Sequence, residues 1–221
     1  MKANFLTVAA LSTFICHASG YVIARADQVS EATLANAPPI VFTGPAFPGG
    51  PDVNITGTVE HIFAKLHEMN PKYDAWEFPD YQQEMARKGL TKDGPIGLGA
   101  RSGNLEKRGW TKCNVDGKPV GNYITQCAEG IRYLKGLNGY CGAPKGWAGC
   151  SRVSCSHNCG IFLCNDNNHK ISVKCSNIVG DFYDIVEECG NKWKDFIVSV
   201  KGAIYRDGPP KWNTLVASQS C

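Results

Sequence analysis

The sequence predicts an α+β fold in which two helices pack on an antiparallel sheet stapled by disulfides, and three observations predict it. After Cys16, the ten remaining cysteines all fall between Cys113 and Cys221. Two stretches of that half carry apolar residues at helical spacing. Five short runs rich in β-branched and apolar residues are bounded by turn formers. Helices and strands in this arrangement bury their apolar faces by laying the helices on one side of the sheet.

The first helix begins at Asn122, a good N-cap, and runs through Ile124, Cys127, Ile131 and Leu134 to Gly136, a good terminator. A Gly-rich loop with Cys141 and Trp147 follows. Three strands are predicted over residues 150–155, 160–164 and 170–173. The turn-forming run Asn165-Asp166-Asn167-Asn168 joins the second to the third. The second helix covers residues 176–189, with Ile178, Phe182, Ile185, Val186 and Cys189 on one face and Gly190 beyond its end. Residues 196–200 with 203–205, and 214–217, supply the last two strands.

Upstream the composition changes. Residues 1–20 hold one early positive charge at Lys2, an apolar run over 5–15, and small residues at Ala18 and Gly20, the pattern of a cleaved secretory signal. That run is too short to span a bilayer. Cys16 leaves with it, so the exported chain keeps an even ten cysteines and is expected to form five disulfides in an oxidising compartment.

Residues 21–108 read as a propeptide. Val59, Ile62, Phe63 and Leu66 repeat at helical spacing, a second short helix covers 79–88, and the proline-rich stretch 38–51 reads as extended and loosely ordered. Apolar clusters are so few that this segment is expected to be largely loop and helix without a firm core. Asn54-Ile55-Thr56 is its N-glycosylation sequon, with Asn54 the acceptor.

The Gly-rich run 94–99 should be open to proteases, and it leads to Leu105-Glu106-Lys107-Arg108. This tetrapeptide resembles sites cut by the kexin-type processing proteases of fungi. Cleavage after Lys107-Arg108 would release residues 109–221 as the mature cysteine-rich domain.

The net charge of +3 is mild and the basic residues are scattered, which argues against nucleic-acid binding and fits anionic surfaces such as cell walls or lipid headgroups. Cys150, Cys155, His157, Cys159 and Cys164 crowd together and are of the residue types that zinc accepts. Their spacings are not the paired type and the compartment favours oxidation, so no metal or cofactor is expected.

Several runs carry a family resemblance. Gly130-Ile131-Arg132-Tyr133-Leu134, Cys150-Ser151-Arg152-Val153-Ser154-Cys155, Ile161-Phe162-Leu163-Cys164-Asn165-Asp166-Asn167, Cys189, and the close from Trp212-Asn213 to Cys221 resemble small cysteine-rich secreted proteins of filamentous fungi, of the killer-toxin-like and extracellular effector type. The resemblance implies a killer-toxin-like α+β sandwich, a fungal origin, and a role at the surface of a host or competitor. It supplies no catalytic residues. Cys141 and Cys159 stand where relatives lack cysteine, and their joint appearance implies that they pair with each other. The bridges among Cys113, Cys127, Cys150, Cys155, Cys164, Cys175, Cys189 and Cys221 stay open.

The leading functional expectation is therefore a non-enzymatic effector or toxin acting on a membrane or cell-wall component. The second is a glycan-binding module, with Trp147 the best-placed contact among Trp110, Trp147, Trp193 and Trp212. The third is a small ribonuclease drawing on His157, His169, Glu129, Glu187, Glu188, Arg132 and Arg152, since the two histidines flank the second strand.

Overall fold

A computed structural model describes residues 29–95, 109–146, 149–193 and 196–221. Residues 1–28, which include the expected signal segment, and Lys107, Arg108 and Trp147 lie outside the described residues. From the N-terminal side, α1 (Glu31–Ala35) leads into a hairpin of β1 (Ile40–Pro45) and β2 (Asp52–Gly57). Then come α2 (Val59–Met69), a 3-10 turn (Ala75–Glu77), α3 (Pro79–Arg87) and a two-residue-strand hairpin of β3 (Leu90–Thr91) and β4 (Gly94–Pro95). The cysteine-rich half contributes β5 (Gly109–Lys112), α4 (Tyr123–Gln126), α5 (Ala128–Lys135), β6 (Tyr140–Ala143), β7 (Gly149–Ser156), β8 (Cys159–Asn165) and β9 (Ile171–Lys174). It closes with α6 (Cys175–Cys189), β10 (Asn191–Trp193), β11 (Phe196–Ser199), β12 (Gly202–Arg206) and β13 (Trp212–Ser218).

The fold is α+β with antiparallel sheets. A five-stranded sheet runs β5-β12-β13-β8-β7 and a four-stranded one β2-β1-β6-β9. Along β8 and β13 both faces are buried, and the period of two divides them. Ile161, Leu163 and Val216 join the larger core cluster with Ile131, Ile178 and Ile185 of the helices. Phe162, Cys164, Leu215 and Ala217 face the other way, where Val29, Leu34 and Val115 cover them.

The predicted helices form where their spacing placed them, with differences of detail. Asn122 caps α4, its side chain accepting from the Ile124 amide at 3.1 Å. The first helix is divided at Cys127 into α4 and α5. The predicted strands of the cysteine-rich half are all present, but residues 171–174 pair with β6 in the smaller sheet instead of extending the larger one. Among the described residues the two helices expected in the cysteine-rich half become three, and the two expected upstream form as α2 and α3, with α1 in addition.

The largest correction concerns the supposed propeptide. Residues 29–95 are not without a core, and they hold a β-hairpin besides the expected helices. β1 sits inside the proline-rich stretch and pairs with β6, Val41 against Gly142, Phe42 against Cys141 and Thr43 against Tyr140. The prolines flank the strand at Pro38, Pro39, Pro48 and Pro51, and Pro45 closes it, so five ladder residues keep their amides. Ile40, Phe42, Ile62, Leu66 and Met85 are fully buried in the same cluster as the helices of the other half.

The five disulfides are Cys113–Cys189, Cys127–Cys159, Cys141–Cys175, Cys150–Cys164 and Cys155–Cys221. The expected Cys141–Cys159 bridge is not formed. Cys141 lies on β6 in the smaller sheet and meets Cys175, which follows β9, the strand beside it. Cys159 opens β8 in the larger sheet and meets Cys127 at the start of α5.

Candidate functional site

Helix α5 lines a built-up feature of the described surface. Its inward stripe of Ile131 and Leu134 seats it on the core, which turns Arg132 outward and places Lys135 at the margin. The Arg132 guanidinium lies over the Tyr133 ring, 4.2 Å from its centre. Lys135 is buried, its ammonium donates to the Lys92 carbonyl at 2.9 Å, and burial lowers its pKa against the opposing pull of Asp93.

Facing α5 are groups from the N-terminal half. Phe63 of α2 packs against Tyr133 with ring centres 5.1 Å apart and against Tyr73 at 6.3 Å. The Tyr73 hydroxyl accepts from the Asn138 amide at 3.0 Å, and burial pushes its pKa up to about 12. Asp74 caps the 3-10 turn by accepting from the Trp76 amide, and it pairs with Lys92 at 2.6 Å. Burial alone would raise the Asp74 carboxyl, but the Lys92 bond and charge and the Trp76 amide carry it below its ordinary value.

Two adjoining cavities of about 390 and 400 Å³ result, sharing Lys92, Asp93, Arg132 and Lys135 as their common wall. Phe63, Tyr73 and Trp76 line one, and Tyr123, Phe182 and Tyr183 line the other. Each is within the size range of small-ligand sites. Flat aromatic faces beside cations and carboxylates suit a polar ligand that has apolar faces of its own, such as a sugar.

The sequence-derived candidates distribute differently. His157 and Asn158 form the two-residue turn between β7 and β8, both with positive φ, 49° and 64°. This is the left-handed pair that a tight hairpin requires, and an Asn in the second position was its signal in the sequence. The Ser156 hydroxyl contacts His157 Nδ1 at 3.0 Å and Glu129 at 3.2 Å. His169 lies past the far end of β8, in contact with Asn168. A seven-residue strand separates the two histidines by roughly 20 Å at 3.3 Å per residue, so they share no site. Arg152 is spent on the carbonyls of Leu34 and Ala35, and Glu187 and Glu188 are exposed near the end of α6. The cysteines beside His157 are consumed in three different bridges, and no metal-ligand cluster occurs among the described residues.

Trp212 is buried at the start of β13, while Trp110 is exposed and stacks flat on Tyr205 at 4.0 Å. Asn54 is exposed on edge strand β2 and accepts a hydrogen bond from Thr43, which leaves the sequon accessible on the surface. The Asn-Asp-Asn run that helped carry the resemblance is structural. Asn165 is buried and donates to the carbonyls of Pro144 and His169, both at 2.7 Å, while Asn213 donates to Asp166 at 3.0 Å. The Asn165 bonds fasten the end of β8 to the segments at Pro144 and His169, and the Asn213 bond ties β13 to the turn that follows β8. No protein-family model, curated protein or solved structure matches the chain. No helix among the described residues is long and apolar enough to cross a membrane.

Proposed function

We propose that this chain is a secreted effector or killer-toxin-like protein, processed after Arg108 by a kexin-type protease, that acts without catalysis on a surface component of a host or competitor. The observation that carries this reading is the set of five disulfides, which ties together strands and helices throughout residues 113–221. Such density is the chemistry of an oxidising compartment and of a protein that must survive proteases. The resemblance of the Cys-Ser-Arg-Val-Ser-Cys and Cys-Asn-Asp runs supplies the effector and fungal part of the proposal.

A test is to collect the natural secreted product, establish its N-terminus, and apply it to plant tissue and to competing fungal cells, both oxidised and after reduction and alkylation. Cell death or growth arrest confined to the oxidised protein is the expected result. Equal inactivity of both forms on every target would remove the toxin reading.

The groove along α5 favours a second reading, recognition of a cell-wall glycan, because aromatic faces from Phe63 and Trp76 stand beside Arg132 and Asp74. Pull-down on insoluble chitin and β-glucan should retain the protein and lose it with Trp76→Ala. Full recovery in the supernatant would dismiss that reading. Trp147 and Trp110 serve as comparison substitutions in the same assay.

A further inference from the structure

We infer that cleavage after Arg108 produces a two-chain protein, in which the segment containing residues 29–95 stays docked as a permanent, noncovalent subunit of the cysteine-rich chain. This rests on the processing reading above and goes beyond it by assigning the N-terminal segment a place after the cut.

The seam between the two parts has the character of a core. β1 fills the side of β6 that β9 leaves open, so loss of the segment would strip that strand of one neighbour. Phe42, Ile62, Leu66 and Met85 would leave the cluster they share with Ile131 and Leu134, and burial of this kind is the main favourable term in folding.

The backbone of the cysteine-rich half is shaped for these rings. A Cβ on Gly139 would lie 2.6 Å from the Phe42 ring and 2.6 Å from the Thr43 carbonyl, and one on Gly136 would lie 2.5 Å from the Phe63 ring. Both positions must be glycine because the other part of the chain comes so close.

Polar groups along the seam also find their partners across it. The buried Tyr81 hydroxyl donates to the Lys135 carbonyl at 2.7 Å, and the Arg152 amide donates to the Pro38 carbonyl at 2.7 Å. The Arg152 guanidinium donates to the Ala35 carbonyl at 2.6 Å, and the Lys88 ammonium to Asn177 at 2.8 Å. Ser154 donates to Glu60 and Ser176 to Glu84. Departure of the segment would leave these groups to be resolvated around exposed apolar surface.

No cysteine lies between residues 17 and 112, so no disulfide joins the two chains. The α5 groove is then a composite site. Phe63, Trp76, Lys92 and Asp93 come from one chain, and Arg132 and Lys135 from the other. A cysteine-rich chain that had lost its partner would lack that wall of the groove.

The test uses the full exported chain, treated with a kexin-type protease until N-terminal sequencing finds Gly109, then run on native size exclusion and on a denaturing gel without reductant. Expected is co-elution of both chains in equal amounts on the column and their separation on the gel. A cysteine-rich chain eluting without its partner overturns the inference.

If the protease does not cut, the processing reading fails by itself. Retention is then read on a variant carrying a different protease's recognition sequence at residues 104–108, where loss of the N-terminal chain overturns this proposal alone.

Tyr81→Phe, which keeps the ring, should release the chain at a lower urea concentration. Gly139→Leu should release it on cutting while the uncut variant stays whole. An unchanged release midpoint in both variants would place the docking surface elsewhere.

Discussion

Residues 29–95 and 109–221 share one core and are held in it by different means. The second is crossed by five disulfides that limit its unfolded chain, and the first has none and is held by packing, hydrogen bonds and the ion pair of Glu84 with Lys174. Cross-links act largely through the unfolded state, whereas β1, α2 and α3 contribute only while folded. A cut between the parts would leave in place the packing and hydrogen bonds that run directly between residues 29–95 and 109–221.

The sharpest way to break this comparison is a cavity at the seam. Phe42→Ala in the uncut chain should cost about 3–5 kcal/mol, the range for deleting a fully buried ring. Urea unfolding followed by fluorescence should show one transition moved to a lower midpoint. A second transition left at the original midpoint would mean that the cysteine-rich half folds without its partner.

Next in size is the bridge beneath the docking strand. Cys141–Cys175 spans 34 residues and anchors β6, the strand on which β1 pairs. Replacing both cysteines by alanine should lower stability by about 2–4 kcal/mol. Because β6 is then less constrained, the release of the N-terminal chain after cutting should also fall to lower urea. A melting temperature within a degree of the native protein's would show that packing alone holds β6.

The same contrast explains what could be read in the sequence. Helix α6 was legible because Ile178, Phe182, Ile185 and Val186 keep one stripe, and β8 and β13 because turn residues bound them. β1 was not, since its run sits among prolines and its partner β6 lies about a hundred residues later, at Tyr140–Ala143. Pairing over such distances leaves no local period.

The groove was illegible for a related reason. Its walls come from α2, the 3-10 turn, the β3–β4 hairpin and α5, and only Arg132 among them stood out as a candidate. The disulfide pairing implied by the resemblance failed because two cysteines absent from relatives need not face each other once the sheets are distinct.

Smaller again, and within the cysteine-rich half, is a pH effect at Asp181. Burial raises this carboxyl to about 6, against the opposing charge and bond of Arg206 and the bond from Thr214. A carboxyl with a raised folded-state pKa contributes stability that is present below its unfolded value near 3.8 and is lost as pH climbs through about 6. Its share should therefore fall by up to about 3 kcal/mol between those limits, at 1.36 kcal/mol per unit. Melting of the native protein and of Asp181→Asn across this window should differ in slope, the variant lacking that decline. Parallel curves would remove Asp181 as the source.

The smallest effect tests the outer side of the docked segment. Lys65 and Glu68 of α2 pair at 2.7 Å with side chains 41% and 63% exposed. Water screens such a pair, and ordering two long side chains offsets most of the attraction, so Lys65→Ala should change stability by less than about 0.5 kcal/mol. Three residues away from Lys65 on the same helix, Ile62 is fully buried at the seam, and its truncation belongs with Phe42 in the range of a few kcal/mol. If Lys65→Ala instead weakened retention of the cut chain as much as Ile62→Ala did, α2 would be held by its outer charges. The seam would then not be the surface that keeps the two chains together.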